Sequence, residues 1–224
     1  MRKKIYIFFL TFIIFSSAAF AQEKYLIDSQ QSTLICSVSR MALTTVKGHF
    51  KDFSGEIIFN PKTFTDKEER ILTKSSVVIK IKTSSIFTGS SFIDRKIKSK
   101  PLLDSEQYPE IIFKSQKVEV KKGTLYVHGV LSLRGIQKEI VFPFYLEEPF
   151  VNEKNQKIIR AKGKWLINRK DFKVIWNPIL DKGGVIIGDI VTIDWEVVAR
   201  QQEEKKSTSQ KHTSIKKSSK KKGR

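Results

Sequence analysis

The sequence predicts an all-β domain, and three features carry that prediction. Apolar residues in the central part of the chain alternate with period two, as half-buried strands require. The stretches between them hold turn-forming residues such as Lys121-Lys122-Gly123 and Lys182-Gly183-Gly184. A single segment, Ser90 to Leu103, has helical spacing instead.

Taken in order, Leu34 to Val38 alternates around Cys36, and Glu56 to Phe59 follows as a second strand. Val77, Ile79 and Ile81 point one way, with Ser76, Val78, Lys80 and Lys82 between them. In Ser90 to Leu103, Phe92, Ile93, Ile97 and Leu103 recur at about a helical interval, and Pro101 limits the length. A short helix or lid is expected there. Val118 and Val120 alternate with Lys117, Glu119 and Lys121, and the Lys122-Gly123 turn leads into Leu125, Val127, Gly129, Leu131 and Leu133 on one face. Ile140, Phe142, Phe144 and Leu146 form the next strand, and residues 152–157 a polar hairpin loop. Lys164 to Asn168, Val185 to Ile187, and Ile193, Trp195 and Val197 complete the series, with Asp194 and Glu196 opposite. About eight or nine strands result. Without a helical layer they must stack as a sandwich or close as a barrel.

The chain divides into three parts. Residues 1–21 read as a cleavable secretory signal: Arg2, Lys3 and Lys4 are followed by the apolar run Ile5 to Phe15, then Ala19-Phe20-Ala21 with small residues at −3 and −1. The apolar run is too short to span a bilayer, so a membrane anchor is the weaker reading. Residues 22–200 suit one domain with a real core. Residues 201–224 form a Lys/Ser-rich tail without apolar periodicity, expected to be disordered. The formal charge of +19 is concentrated at the two ends, so the domain itself is moderately basic. The expected location is the periplasm. Export removes the chain from cytoplasmic nucleic acid, and no nucleic-acid partner is expected. The tail is instead suited to contact anionic membrane. Cys36 is the single cysteine, which excludes an internal disulfide; its alternation with Leu34 and Val38 suggests a buried strand position.

Several strings then fall in a telling order: Tyr25-Leu26-Ile27-Asp28, Val46-Lys47-Gly48-His49-Phe50, Phe53-Ser54-Gly55-Glu56-Ile57, Tyr108-Pro109-Glu110-Ile111-Ile112-Phe113, Gly129 to Lys138, and Asn168-Arg169-Lys170-Asp171-Phe172 followed by Trp176 and Gly184 to Val191. Together they resemble the YceI-like family over Tyr25 to about Val198. The resemblance implies an extended eight-stranded antiparallel, lipocalin-like β-barrel with one short helix. It also implies an elongated apolar lumen for an amphiphilic polyisoprenoid lipid, a quinone or a polyprenyl phosphate. Two positions depart from the family pattern: Gln31 precedes Ser32 and Met41 follows Arg40 where relatives tend to carry histidine.

For the apolar lining the candidates are Phe50, Phe53, Phe59, Phe92, Phe113 and Trp176; for a polar head group they are Arg40, Arg134, Asn168 and Arg169. Guanidinium and amide groups suit phosphate or carbonyl oxygens, although Arg134-Gly135 reads equally as a turn. The histidines, His49, His128 and His212, lack metal-ligand spacing. No Gly-x-Ser-x-Gly, phosphate loop or ordered triad is present. No cofactor, metal or catalytic residue is therefore expected, and the chain reads as a binding protein rather than an enzyme. An enzyme or stress-response factor acting on an isoprenoid, or a small outer-membrane barrel, are the competing readings. Lys80, Lys82, Lys117, Glu119 and Lys121 on outward positions oppose the latter. A homodimer is compatible with the sequence.

Overall fold

The computed structural model describes residues 22–40, 44–60, 70–72, 75–175 and 187–202. Their strands are β1 (Glu23–Ile27), β2 (Thr33–Arg40), β3 (Thr44–Phe50), β4 (Phe53–Phe59), β5 (Arg70–Leu72), β6 (Ser76–Lys82), β7 (Ile86–Phe87), β8 (Glu110–Lys121), β9 (Thr124–Leu133), β10 (Ile136–Leu146), β11 (Phe150–Val151), β12 (Lys157–Asn168) and β13 (Ile187–Gln201). One α-helix, α1 (Ser91–Lys98), lies between β7 and β8. The expected signal and most of the tail, together with Trp176, the Lys182-Gly183-Gly184 turn and His212, lie outside the described residues.

The strands close into an antiparallel barrel of eight legs. Three legs are bent. β1 and β2 form one, interrupted at residues 28–32; β3 and β4 form the next, interrupted at Lys51 and Asp52; β6 and β7 form the third, interrupted by the 3-10 turn Thr83–Ser85. β8, β9, β10, β12 and β13 are the other five, and each neighbour pair is antiparallel. β13 closes the ring. It pairs with β12 from Ile190 to Arg200, and on its other edge with β2 over Ile187–Glu196 and with β1 over Ala199–Gln201. Ser32 fastens the bend between β1 and β2 to β13: its hydroxyl donates to Asp28 O at 2.7 Å and accepts from Val198 N at 2.9 Å.

Period two holds where it was expected. Val118, Val120, Val127, Leu131, Leu133 and Phe142 are buried inward, while the intervening polar residues face out. The exterior carries cross-strand ion pairs such as Lys24–Glu56 at 2.6 Å and Lys164–Asp194 at 3.6 Å. Two hairpins use two-residue turns in the left-handed region, Lys122-Gly123 (φ 49°, 74°) and Arg134-Gly135 (φ 53°, 73°). This backbone matches the right-handed twist of the strands they join. Arg134 is thus a turn residue. The wall is least regular between β10 and β12, whose pairing covers Phe144–Leu146 against Ala161–Gly163. Pro143, which has no N–H to give, marks the end of that ladder. Beyond it the Phe142 and Trp165 rings stack at 4.3 Å.

α1 is shorter than the stretch with helical spacing. Ser90 caps its first turn by accepting from Ile93 N, and turns then carry the chain through Pro101 to bury Leu102 and Leu103.

Candidate functional site

The inward side chains do not fill the barrel. A distal cavity of about 150 Å³ lies toward β1, and a proximal cavity of about 420 Å³ lies beneath α1. Successive inward positions of the same strands line the two, as with Leu34 then Cys36, Trp195 then Ile193, Leu131 then Leu133, and Phe113 then Ile111. The cavities therefore lie end to end along one elongated lumen. The rings of Phe113, Phe142, Trp165 and Trp195 form a linked aromatic group on the distal lining, with Phe113–Phe142 at 5.4 Å and Phe142–Trp195 at 6.1 Å.

The distal cavity is hydrocarbon. Its lining includes Ile57, Ile79, Val118, Val127, Phe144 and Leu146, and two of its hydroxyls are held by backbone N–H groups. Ser115 accepts from Val77 N at 2.8 Å and Ser75 from Asn60 N at 3.2 Å. Tyr25, Phe59, Ile159 and Ala199 pack beside it as a buried cluster. Burial, with the nearby Glu23 carboxylate, raises the Tyr25 phenol far above its usual range. The phenol stays neutral and donates to Glu23 Oε2 at 2.6 Å.

The proximal cavity is mixed. Phe50, Ile86, Ile93, Ile97, Leu133 and Val191 supply apolar walls, while Arg40, Lys96, Ser37 and Ser90 bring polar groups. Cys36 also lines it. Burial pushes that thiol up to about 11, and the protonated sulfur donates to Gly48 O at 3.5 Å.

The expected site residues divide between these cavities. Phe53, Phe59 and Phe113 line the distal one; Arg40, Phe50, Phe92 and Arg169 line the proximal one. Arg169 is 5% exposed, and its guanidinium is already engaged. It donates to Val174 O at 2.7 Å, Gly188 O at 2.9 Å and Ile187 O at 3.2 Å, and pairs with Asp189 at 3.0 Å. Lys170 also holds Asp189, and its hydrogen bond is the main reason the Asp189 carboxyl lies below the usual range. Asn168 caps the 3-10 turn Arg169–Phe172 by accepting from Lys170 N at 3.0 Å. Arg134 reaches Lys100 O at 2.6 Å and Lys173 O, tying the segment after α1 to that same turn. Neither Asn168 nor Arg134 lines a cavity.

Trp165, Trp195 and Phe142 were missed as lining residues, and their signal was present. Each occupies the inward phase of a strand with recognisable alternation. His49 and His128 sit on strands, with His128 Nε2 2.8 Å from Glu119 Oε2.

Relatives agree with this architecture. A family model described as a YceI-like domain matches residues 25–199. A UPF0312 protein of Vibrio parahaemolyticus is 32% identical over 134 residues, a match covering 58% of this chain and 65% of the relative, so the chain spans just under two thirds of that relative's length. Among solved structures, BcnA of Burkholderia cenocepacia superposes with a TM-score of 0.64 at 20% identity, covering 77% of this chain and 98% of that one. A polyisoprenoid binding domain from Saccharophagus degradans gives 0.56 at 14% identity, covering 81% and 100%. The structural likenesses are of fold. The family match runs from Tyr25 in β1 to Ala199 in β13, the two strands that complete the ring, and on it the chain belongs to the YceI-like family.

Proposed function

We propose that the protein binds an amphiphilic polyisoprenoid lipid, of quinone or polyprenyl phosphate type, inside the barrel, and stores or carries it through the periplasm. The observation that carries this reading is the lumen: two cavities in line, the distal one presenting hydrocarbon alone and the proximal one adding Arg40 and Lys96. A long isoprenoid chain gains roughly 25 cal/mol per Å² of apolar surface withdrawn from water. It needs that withdrawal along its length, with polar partners at one end. The Saccharophagus neighbour, a polyisoprenoid binding domain of the same fold, supports the ligand class. The signal-like residues 1–21 support export.

The cross-strand ion pairs on the outer face favour a barrel bathed in water over one embedded in lipid, whose outer band would be apolar. Binding rather than catalysis fits a lumen whose buried arginine, Arg169, is already paired. The basic segment 205–224 is suited to holding the carrier near anionic membrane.

The test is native mass spectrometry of protein purified from its own host, with organic extraction of whatever it holds. An isoprenoid mass released on unfolding is the expected outcome. Recovery of none, together with no uptake of added long-chain isoprenoid, would overturn the reading.

A further inference from the structure

Phe92 occupies a position that a folded protein in water alone does not explain. It lines the proximal cavity, yet at 72% it is the most exposed of the large hydrophobic side chains among the described residues. It therefore stands on the rim, where α1 meets both the lumen and the outside. Arg95 and Lys96 follow it at i+3 and i+4, which sets them beside it on the helix surface. Ile93 and Ile97 turn inward to the cavity wall.

The surroundings are basic. Between Ile86 and Leu103 the sole acidic side chain is Asp94. It is buried, and accepts from Thr88 N at 2.8 Å and from Thr88 Oγ1 at 2.6 Å. Its charge is turned into the structure, which leaves Arg95, Lys98 and Lys100 on the outside of this region. Next to α1, β7 presents Phe87, 42% exposed, with Lys51 Nζ 3.3 Å from its ring centroid. Aromatic side chains standing among cations at the mouth of a lipid-sized lumen match the interfacial arrangement: rings sink to the boundary of the acyl chains and cations meet phosphate.

We propose that the α1 end of the barrel docks on an anionic phospholipid bilayer, with Phe92 inserted and Arg95, Lys98 and Lys51 against the head groups, so that the proximal cavity opens onto the membrane from which lipid is exchanged. The proposal deepens the carrier reading and rests on it for the purpose of docking. Docking itself is measured separately.

The experiment is co-sedimentation of the protein, as purified from its own host, with vesicles of phosphatidylcholine, with or without phosphatidylglycerol. The native protein should bind the phosphatidylglycerol vesicles and release them as salt is raised. Phe92→Ala should weaken that binding about tenfold, as expected for one lost buried aromatic. The double change Arg95→Gln and Lys98→Gln should weaken it by about thirtyfold. Segment 205–224 would hold the same vesicles without help from Phe92 or Arg95. Binding unchanged in both variants would therefore overturn the proposal, as would no binding to either vesicle. Arg95 and Lys98 do not line the cavity. The double variant should take up isoprenoid from detergent as the native protein does, but extract it more slowly from anionic vesicles. Loading from detergent with no vesicle binding by native protein sinks the docking and spares the carrier. Phe92-dependent vesicle binding with no loading from any source does the reverse.

Discussion

At Gly129 a single added methyl would stand 2.5 Å from Lys114 O and 2.6 Å from the Phe113 ring. Gly163 holds the matching place under Trp195, where a Cβ would come within 2.8 Å of the indole. Both glycines are on lining strands, and each makes room for an aromatic side chain turned into the lumen. Gly129→Ala is expected to destabilise the protein by about 1–3 kcal/mol through overpacking, read as a lower urea midpoint at unchanged slope. An unchanged midpoint would mean that Phe113 swings aside at no cost. Residue chemistry also separates Arg169 from Arg40. The first is surrounded by four protein oxygens, whereas the second lies at the exposed end of β2 on the proximal cavity. Sequence alone ranks the two arginines alike, because burial and backbone carbonyl partners arise from the fold.

Among the elements, α1 depends on its one carboxylate. The Thr88 hydrogen bonds hold the Asp94 carboxyl below its ordinary value of 3.8, with Lys98 and Lys51 adding to the effect. A carboxyl lowered on folding contributes stability that is full above its unfolded pKa and is lost as pH falls toward the folded one. Asp94→Asn should therefore melt below the native protein at neutral pH, with the gap shrinking as the solution is acidified below about pH 5. A gap that is constant across this range would show the loss to be one of packing. The strands were legible for a simple reason: Val118, Val120, Leu131 and Phe142 each sit two residues from another inward apolar side chain, and that period survives from sequence to structure. The bends were not. Residues 28–32, Lys51-Asp52 and Thr83–Ser85 interrupt three legs through contacts with distant partners. Lys82 N donates to Asp52 O and Lys51 N to Ser85 O, and no local pattern encodes such pairs. β1, β5, β7 and β11 were missed as strands because two to five residues carry too little alternation, and β3 because Gly48 takes one of its inward positions. The helical spacing overshot α1, since Leu102 and Leu103 are buried by turns that mimic one more helical repeat.

For the molecule as a whole, the lumen links ligand binding to stability. A ligand that binds the closed barrel and not the unfolded chain adds about 2.7 kcal/mol at one hundred times its dissociation constant. Long-chain quinone or polyprenyl phosphate should accordingly raise the melting temperature by several degrees in a thermal scan, and a short-chain analogue should raise it less. Equal shifts for both would place the binding energy in the head group instead of the tail. Closure of the ring has a consequence in time as well. Ser32 meets Val198 across 166 residues of sequence, and β13 is bordered by β12, β1 and β2. As a ribosome releases the chain, the first leg (β1 with β2) and β12 keep an open edge until β13 arrives. Contacts of such long range make folding slow. Along the export route proposed above, that delay is useful: the nascent chain stays threadable until it has crossed, and the barrel shuts on the far side.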